Sequence, residues 1–248
     1  MISKKQLKEL RAYRQGKHCK EEGLFVVEGV KMADEALASG WPIRTVCATE
    51  EWMAEHDGLN GDIQRWTVSE SELAQLSLLR SPNEVWMLVE RQYRPAIGQW
   101  TAVDVTLVLD HIQDPGNLGT LIRTADWFGI RHLVCSPDTA DCFNPKVVQA
   151  TMGSLFRTQI EYTDIAQWAA RCKTPVYGAV LGGTPIGESA LQRPCALVIG
   201  NESRGISDDV AQQLTHRVTI PSTGGSAESL NAAVAGSVLM AAIALNGL

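Results

Sequence analysis

Neither a long apolar run nor a Cys-x-x-Cys pair occurs in this sequence of 248 residues. No apolar stretch reaches the roughly 18 residues of a membrane-spanning helix. The first 20 residues are charged and contain no apolar core, so we expect no signal peptide. The six cysteines are therefore expected to be reduced thiols, and the protein is expected to be cytoplasmic.

The sequence also lacks the common motifs of dinucleotide, metal and acyl-enzyme chemistry. It contains no Gly-x-Gly-x-x-Gly, no His-Glu-x-x-His, no Gly-x-Ser-x-Gly and no zinc-type spacing of Cys and His. Gly200 and Gly205 have the spacing of a phosphate-binding P-loop, but Ile206 and Ser207 follow where a lysine and a hydroxyl are needed. We therefore expect neither a bound metal nor an acyl-enzyme intermediate.

Charge is distributed unevenly along the chain. The net charge is −6, yet residues 1–20 hold seven Lys or Arg against one acid, Glu9, so the remainder carries −12. A basic end on an acidic body is a candidate RNA-binding surface, although a solvated helix face would have the same composition. The candidate RNA-binding residues are Lys4, Lys5, Lys8, Arg11, Arg14 and Lys17.

Residue patterns divide the chain into two parts. The first part predicts helices over 3–15, 30–39 and 70–77 and strands over 24–29, 43–49, 63–68 and 83–90. Ser69 and Glu72 have the capping-box spacing for the third helix. The polar stretch 91–100 contains Pro and Gly, so we predict an N-terminal domain over 1–95, a linker over 96–103 and a C-terminal domain over 104–248.

The second part alternates apolar strands with helices. Helices are predicted over 117–128, 144–153, 164–172, 207–214 and 228–246, with runs rich in β-branched residues between them. This alternation predicts an α/β fold with a mostly parallel sheet and helices on both faces. Ligands collect at the carboxyl ends of such strands.

Three polar turns each follow an apolar strand of this part. They are PGNLGTLIR (115–123), IGNESRGIS (199–207) and IPSTGGSAESLNAAVAG (220–236). If the strands are neighbours, their ends form one pocket. Each turn alone has a simpler interpretation, because Asn117 could be a helix N-cap, Arg123 a surface cation, and Ser229 and Asn231 local backbone hydrogen bonders.

The three turns together resemble the motifs of the SpoU/TrmH family of RNA 2′-O-ribose methyltransferases, in the SPOUT superfamily. The family pattern Asn-x-Gly-x-x-x-Arg is matched by residues 117–123 and Gly-Asn-Glu-x-x-Gly by residues 200–205. Its Ile-Pro followed by Ser-Leu-Asn-x-Ala is matched by residues 220–221 and 229–233. The segment between Pro221 and Ser229 is about one residue longer than is usual in the family, and the N-terminal part resembles the ribosomal-protein-like RNA-binding domain of many members.

This resemblance implies S-adenosylmethionine as cofactor, a deep trefoil knot over roughly 196–248 and a homodimer packed through the C-terminal domain. It implies a ribose 2′-OH of structured RNA as the methyl acceptor, with ribosomal RNA favoured over transfer RNA. The implied catalytic residues are Asn117, Arg123, Glu202, Ser229 and Asn231, and the implied cofactor contacts are Val180, Gly200, Asn201, Ile220 and Leu230. The alternatives are a catalytically inactive RNA-binding protein on the same fold and an unrelated α/β enzyme that uses a nucleotide.

Overall fold

The computed structural model describes residues 2–59, 61–81, 83–92, 105–189 and 191–245, which form two compact units. The first unit comprises Met1–Gln92 together with Phe143–Phe156, and the second comprises Tyr93–Cys142 together with Arg157–Leu248. The predicted linker over 96–103 lies outside the described residues, and the domain bounds drawn around it stay a prediction.

The first unit contains a four-stranded mixed sheet. Its strands, in the spatial order β1-β4-β2-β3, are β1 (Leu24–Glu28), β4 (Val85–Glu90), β2 (Ile43–Ala48) and β3 (Gln64–Thr67). Strand β4 runs antiparallel to β1 and β2, whereas β3 runs parallel to β2. The helices within residues 2–92 are α1 (Lys4–Leu10), α2 (Gly16–Glu21), α3 (Val30–Ser39), α4 (Glu50–Glu55) and α5 (Glu70–Leu76), with a 3-10 turn over Arg11–Arg14.

The basic N-terminal segment is part of the core of this unit. Leu7, Leu10 and Cys19 are buried in one apolar cluster with Leu24 and Trp86. Burial of these side chains stabilises α1 and α2, which are too short to be stable as isolated helices. Leu7 and Leu10, both buried, anchor α1 to this core, and the predicted capping box of Ser69 and Glu72 is confirmed.

Residues 143–156 also belong to the first unit, although they follow in sequence a strand of the second. They form α7 (Pro145–Thr151) and a 3-10 turn over Ser154–Phe156. The rings of Phe143 and Phe156 join an aromatic cluster with Phe25 and Trp41, in which Phe143 lies 4.9 Å from Phe25 and Phe156 lies 5.2 Å from Trp41 between ring centroids. The helix predicted over 144–153 is present, and its aromatic partners lie in the N-terminal segment.

The second unit contains a six-stranded sheet in which every neighbouring pair of strands is parallel. The strands, in spatial order, are β10 (His216–Thr219), β8 (Val176–Pro185), β9 (Cys195–Ile199), β5 (Val105–Leu109), β6 (His132–Cys135) and β7 (Gln159–Tyr162). The helices are α6 (Pro115–Trp127), α8 (Ile165–Ala170), α9 (Asp208–Ala211) and α10 (Ala232–Leu245). The predicted parallel sheet is confirmed.

Helices cover both faces of this sheet. Val198 of β9 packs in a cluster with Trp168 of α8 and Val210 of α9. The next residue, Ile199, faces the other way because side chains alternate along a strand. There it approaches Gly236 of α10, where an added Cβ would meet Leu121 of α6 at 2.5 Å and Ile199 at 3.4 Å. Helices α6 and α10 therefore pack closely on the face opposite α8 and α9.

Some element boundaries differ from the prediction. The last helix was predicted over 228–246 but begins at Ala232, because the Asn231 side chain caps it. Helices α2 and α4 and strand β7 were not predicted. The trefoil knot implied by the resemblance stays a prediction. No described helix combines the length and the apolar composition that crossing a membrane requires.

Candidate active site

The order of the strands brings the first two polar turns together. Strands β5 and β9 are adjacent and parallel, with Leu109 opposite Ile199 at their carboxyl ends. The turn from β5 leads into α6, and the turn from β9 spans Gly200 to Ser207. Because both strands end at the same edge, residues about 85 positions apart in sequence come within hydrogen-bonding distance.

Three of the five predicted catalytic side chains form one hydrogen-bonded chain. The Asn231 Oδ1 accepts from the backbone N–H groups of Ala233 (2.9 Å) and Val234 (3.2 Å), as an N-cap residue does. Its Nδ2 must therefore face away from the helix, and it donates to Asn117 Oδ1 at 3.0 Å. Asn117 Nδ2 in turn donates to Glu202 Oε1. The cap of α10 thus fixes the orientation of both amides.

The interpretation of Asn117 as only an N-cap is wrong. Helix α6 begins at Pro115, and its N-cap is Asp114, whose side chain accepts from the backbone N–H of Asn117 at 2.8 Å. Proline at the first helical position suits this start, because its ring presets φ and its missing N–H needs no partner. The Asn117 side chain is thereby left for contacts with the other two turns.

Arg123 and Ser229 are not joined to this chain. Arg123 lies six residues after Asn117 on α6, about 9 Å further along the helix axis. Its side chain is exposed and has no hydrogen bond or ion pair with any described residue. Ser229 is also exposed and precedes the start of α10. Both side chains are therefore accessible to a substrate.

The turn that carries Glu202 is tightly closed. Asn201 and Gly205 exchange both backbone hydrogen bonds, at 3.0 and 2.9 Å. Gly200 has to be glycine, because an added Cβ would lie 2.3 Å from the backbone carbon of Gly205. The Asn201 side chain also belongs to the turn, since its Oδ1 accepts from Ser203 and Arg204 N–H and its Nδ2 donates to the carbonyl of His111. Asn201, predicted as a cofactor contact, therefore shapes the turn with its own side chain.

The other predicted cofactor residues include apolar side chains that are only partly buried. Val180 and Ile220 are half-buried, and Leu230 is 47% exposed. Within the described part of the chain, no N–H of residues 221–230 donates to another backbone carbonyl. An adenosine needs both kinds of group, apolar contact for its ring and peptide N–H groups without a backbone partner for its polar edge. A separate open cavity of about 570 Å³ lies beside β8 and β10 and contains none of the five predicted cofactor residues.

Sequence reasoning missed two residues beside the Glu202 turn, Asp110 and His111. Asp110 is fully buried, and its Oδ2 accepts from the backbone N–H of Ser207 at 2.7 Å. The signal for it was a carboxylate directly after the apolar strand β5, a position at which a charge is costly unless it is hydrogen-bonded.

The described residues contain no group of three or more His, Cys, Asp or Glu side chains placed to hold a metal ion.

Known proteins are similar to this chain in sequence and in architecture. A family model described as the SpoU rRNA Methylase family matches residues 104–241, and an MRM3-like substrate binding domain matches residues 4–86. The chain is 32% identical over 231 residues to the 23S rRNA (guanosine(2553)-2′-O)-methyltransferase RlmP of Bacillus subtilis, covering 90% of this chain and 91% of that protein.

Two solved structures are similar over nearly the whole chain. A TrmH-family protein from Porphyromonas gingivalis is 39% identical with a TM-score of 0.86, covering 98% of both chains. An rRNA methyltransferase from Sinorhizobium meliloti with bound AdoMet is 30% identical with a TM-score of 0.87, covering 100% of this chain and 98% of that one. On this evidence, and on the motifs gathered at the ends of β5, β9 and β10, the chain belongs to the SpoU rRNA methylase family.

Proposed function

We propose that this protein transfers the methyl group of S-adenosylmethionine to a ribose 2′-OH in ribosomal RNA. RNA methylation is the activity of the family, and the similar Sinorhizobium meliloti structure contains the same cofactor. The observation that carries the ribose assignment is the chain Glu202–Asn117–Asn231, in which a carboxylate and two amides are joined near the start of α6, the helix that also carries the exposed Arg123. Such groups can orient a hydroxyl and stabilise its charge.

The cofactor would lie against the half-buried Val180 and Ile220, with Leu230 and the backbone of Gly200 and of residues 221–230 beside it. The sulfonium of S-adenosylmethionine supplies a methyl group that is already activated for transfer. The protein is then left with two tasks, to position the ribose hydroxyl and to favour its ionised form as the new C–O bond develops.

Arg123 is assigned the electrostatic task. A guanidinium is effectively always protonated in proteins, so literal deprotonation of the hydroxyl by Arg123 would be costly. We assign to it instead a cationic role, in which it binds the neighbouring phosphate and stabilises negative charge that develops on the 2′-oxygen. Its exposure and its lack of a described protein partner leave the whole guanidinium for the RNA.

The hydrogen-bonded chain is assigned the positioning task. Among the described contacts, one N–H of Asn117 Nδ2 and the Oε2 atom of Glu202 remain for the substrate. Their directions are fixed by the cap of α10, so an incoming hydroxyl would meet groups that need no rearrangement. Ser229, two residues before Asn231, is assigned a contact with the same substrate.

The first unit is proposed to bind the RNA substrate. It matches a substrate binding domain, and the exposed side chains of Lys4, Lys5, Lys8 and Arg11 lie on its N-terminal segment. Ribosomal RNA is preferred as the target because the relative from Bacillus subtilis is named for 23S rRNA. We also propose that the reaction takes place in the cytoplasm, in keeping with a ribosomal substrate.

A labelled methyl-transfer assay tests the substrate class. Purified protein would be incubated with methyl-labelled S-adenosylmethionine and total RNA from cells lacking the gene, and the RNA would then be separated by size. We expect label in the large ribosomal RNAs. Label confined to transfer RNA would overturn the ribosomal assignment, and binding of RNA without any label would favour the inactive RNA-binding alternative.

A further inference from the structure

We propose that Asp110 and His111 are positioning residues for methyl transfer, because they hold the 200–207 turn and thereby keep Glu202 against Asn117. Neither side chain needs to touch the substrate. The inference rests on the proposed function, since its consequence is measured as a methyl-transfer rate.

Asp110 fixes the C-terminal end of the turn, at Ser207. It is the first residue after β5, and its backbone N–H continues the sheet by donating to the carbonyl of Ile199 at 2.9 Å. Its carboxylate is 0% exposed, and each oxygen has a partner, Ser207 N–H at 2.7 Å and His111 Nδ1 at 2.5 Å. A buried carboxylate with charge-assisted hydrogen bonds on both oxygens is a rigid anchor.

His111 fixes the N-terminal end of the turn, at Asn201. Its φ is +57°, in the left-handed region that few residues other than glycine adopt. In this conformation its N–H donates to Ser136 Oγ at 2.9 Å, and its carbonyl accepts from Asn201 Nδ2 at 3.0 Å. Its ring lies between two carboxylates, with Nε2 3.0 Å from Asp138 Oδ2. These contacts hold His111 in the left-handed conformation, and that conformation directs its carbonyl towards the Asn201 side chain.

Glu202 lies between Asn201 and Ser207, the two positions that His111 and Asp110 fix. The turn is closed by the paired backbones of Asn201 and Gly205, so it moves as one piece if an anchor is lost. Misplacement of a catalytic group by about 1 Å can cost roughly 100-fold in rate. Loss of Asp110 should therefore act on the reaction through the position of Glu202.

The test compares three single variants in single-turnover methyl transfer at saturating RNA and S-adenosylmethionine. Asp110→Ala removes both hydrogen bonds of the Asp110 carboxylate, and we expect its rate to fall about 10- to 100-fold. Asp110→Asn keeps one acceptor oxygen for Ser207 N–H and should recover part of that loss. Asp164→Asn is the matched control, because it makes the same Asp-to-Asn change at the N-cap of α8, outside the 200–207 turn, where Asn caps a helix about as well as Asp, and its rate should stay near wild type.

A double-mutant cycle separates positioning from a general effect on stability. In a Glu202→Ala background, Asp110→Ala should lower the rate by no more than about twofold, since the group through which it acts is already removed. Fully additive losses, or a wild-type rate in Asp110→Ala, would overturn the inference, as would an Asp164→Asn loss equal to that of Asp110→Ala. Should Asp110→Ala not fold, Asp110→Asn enters the same cycle. An inactive wild-type protein would refute the proposed function instead.

Discussion

Asn231 serves the fold and the proposed chemistry with one side chain. Its Oδ1 caps α10, while its Nδ2 sets the direction of the Asn117 amide. Asn231→Asp separates the two roles, because Asp caps a helix about as well as Asn does but cannot donate to Asn117. We expect methyl transfer to fall about tenfold or more with little change in thermal stability.

Measuring rate and melting temperature on the same preparation checks this prediction. Asn231→Ala is the control, because it loses the cap as well as the contact with Asn117. Its melting temperature should be lower than that of Asn231→Asp, since loss of an N-cap costs about 1 kcal/mol. Full activity in Asn231→Asp would mean that the chain Glu202–Asn117–Asn231 does not serve the reaction.

Arg123 is the residue on which the proposed charge stabilisation depends. Arg123→Ala should lower kcat by roughly 10²–10³ and leave the affinity for S-adenosylmethionine nearly unchanged, because the guanidinium is assigned to the RNA ribose and phosphate. Steady-state kinetics with calorimetric titration of the cofactor measures both quantities. Arg171→Ala, at the exposed end of α8 on the opposite face of the sheet, is the matched control. An equal loss of cofactor affinity would make Arg123 a structural residue.

The sequence identified the polar residues of the site but not their connections. Asn117, Glu202 and Asn231 stand out because each follows an apolar strand. Their hydrogen bonds join positions 85 and 114 apart in sequence, and only the strand order brings these positions together. Asp110 was missed because its burial depends on the turn that closes over it, which sequence spacing does not reveal.

At the scale of elements, the basic N-terminal segment (residues 1–20) belongs to the first unit, which matches a substrate binding domain. Because Leu7, Leu10 and Cys19 are buried in its core, deleting residues 1–20 would remove core side chains along with the charges. Changing the exposed Lys4, Lys5 and Lys8 together to Gln is the cleaner test. Each lost phosphate contact should flatten the salt dependence of RNA affinity by roughly 0.7–0.9 units of log–log slope.

RNA binding measured over a salt series gives this slope directly. Lys173→Gln, an exposed lysine in the second unit, serves as control and should leave the slope unchanged. The affinity for S-adenosylmethionine should be unaffected in both variants. An unaltered slope in the triple variant would show that these charges are a solvated helix face and that RNA is held elsewhere.

Periodicity predicted most elements, and it was weakest where elements are short or end at a side-chain cap. Strand β7 (Gln159–Tyr162) has four half-buried residues and thus no contrast between its two faces. Helix α4 (Glu50–Glu55) has six residues, too few for a periodic pattern. The residues before α10 are compatible with a helix by composition, and the boundary is visible only in the hydrogen bonds that Asn231 Oδ1 accepts from the N–H groups of Ala233 and Val234.

At the scale of the whole molecule, we propose a homodimer through the second unit. Trp127 of α6 is 84% exposed, and Val234 and Val238 of the adjoining α10 are also exposed. Large apolar side chains in contact with water are typical of a surface that another chain covers. Light scattering at micromolar concentration should give twice the chain mass of 27.0 kDa. Val238→Glu should shift that mass towards the single chain, and a single-chain mass for the wild type would contradict the dimer.

The chemical position of the transferred methyl group tests the account most directly. Alkaline hydrolysis of RNA requires a free 2′-OH, so a 2′-O-methylated ribose leaves an uncleaved dinucleotide. Ribosomal RNA labelled by this protein should therefore yield its label in alkali-resistant dinucleotides, and RNA treated with Arg123→Ala should yield almost none. Label recovered in mononucleotides would place the methyl group on a base and would contradict the ribose 2′-OH as the acceptor.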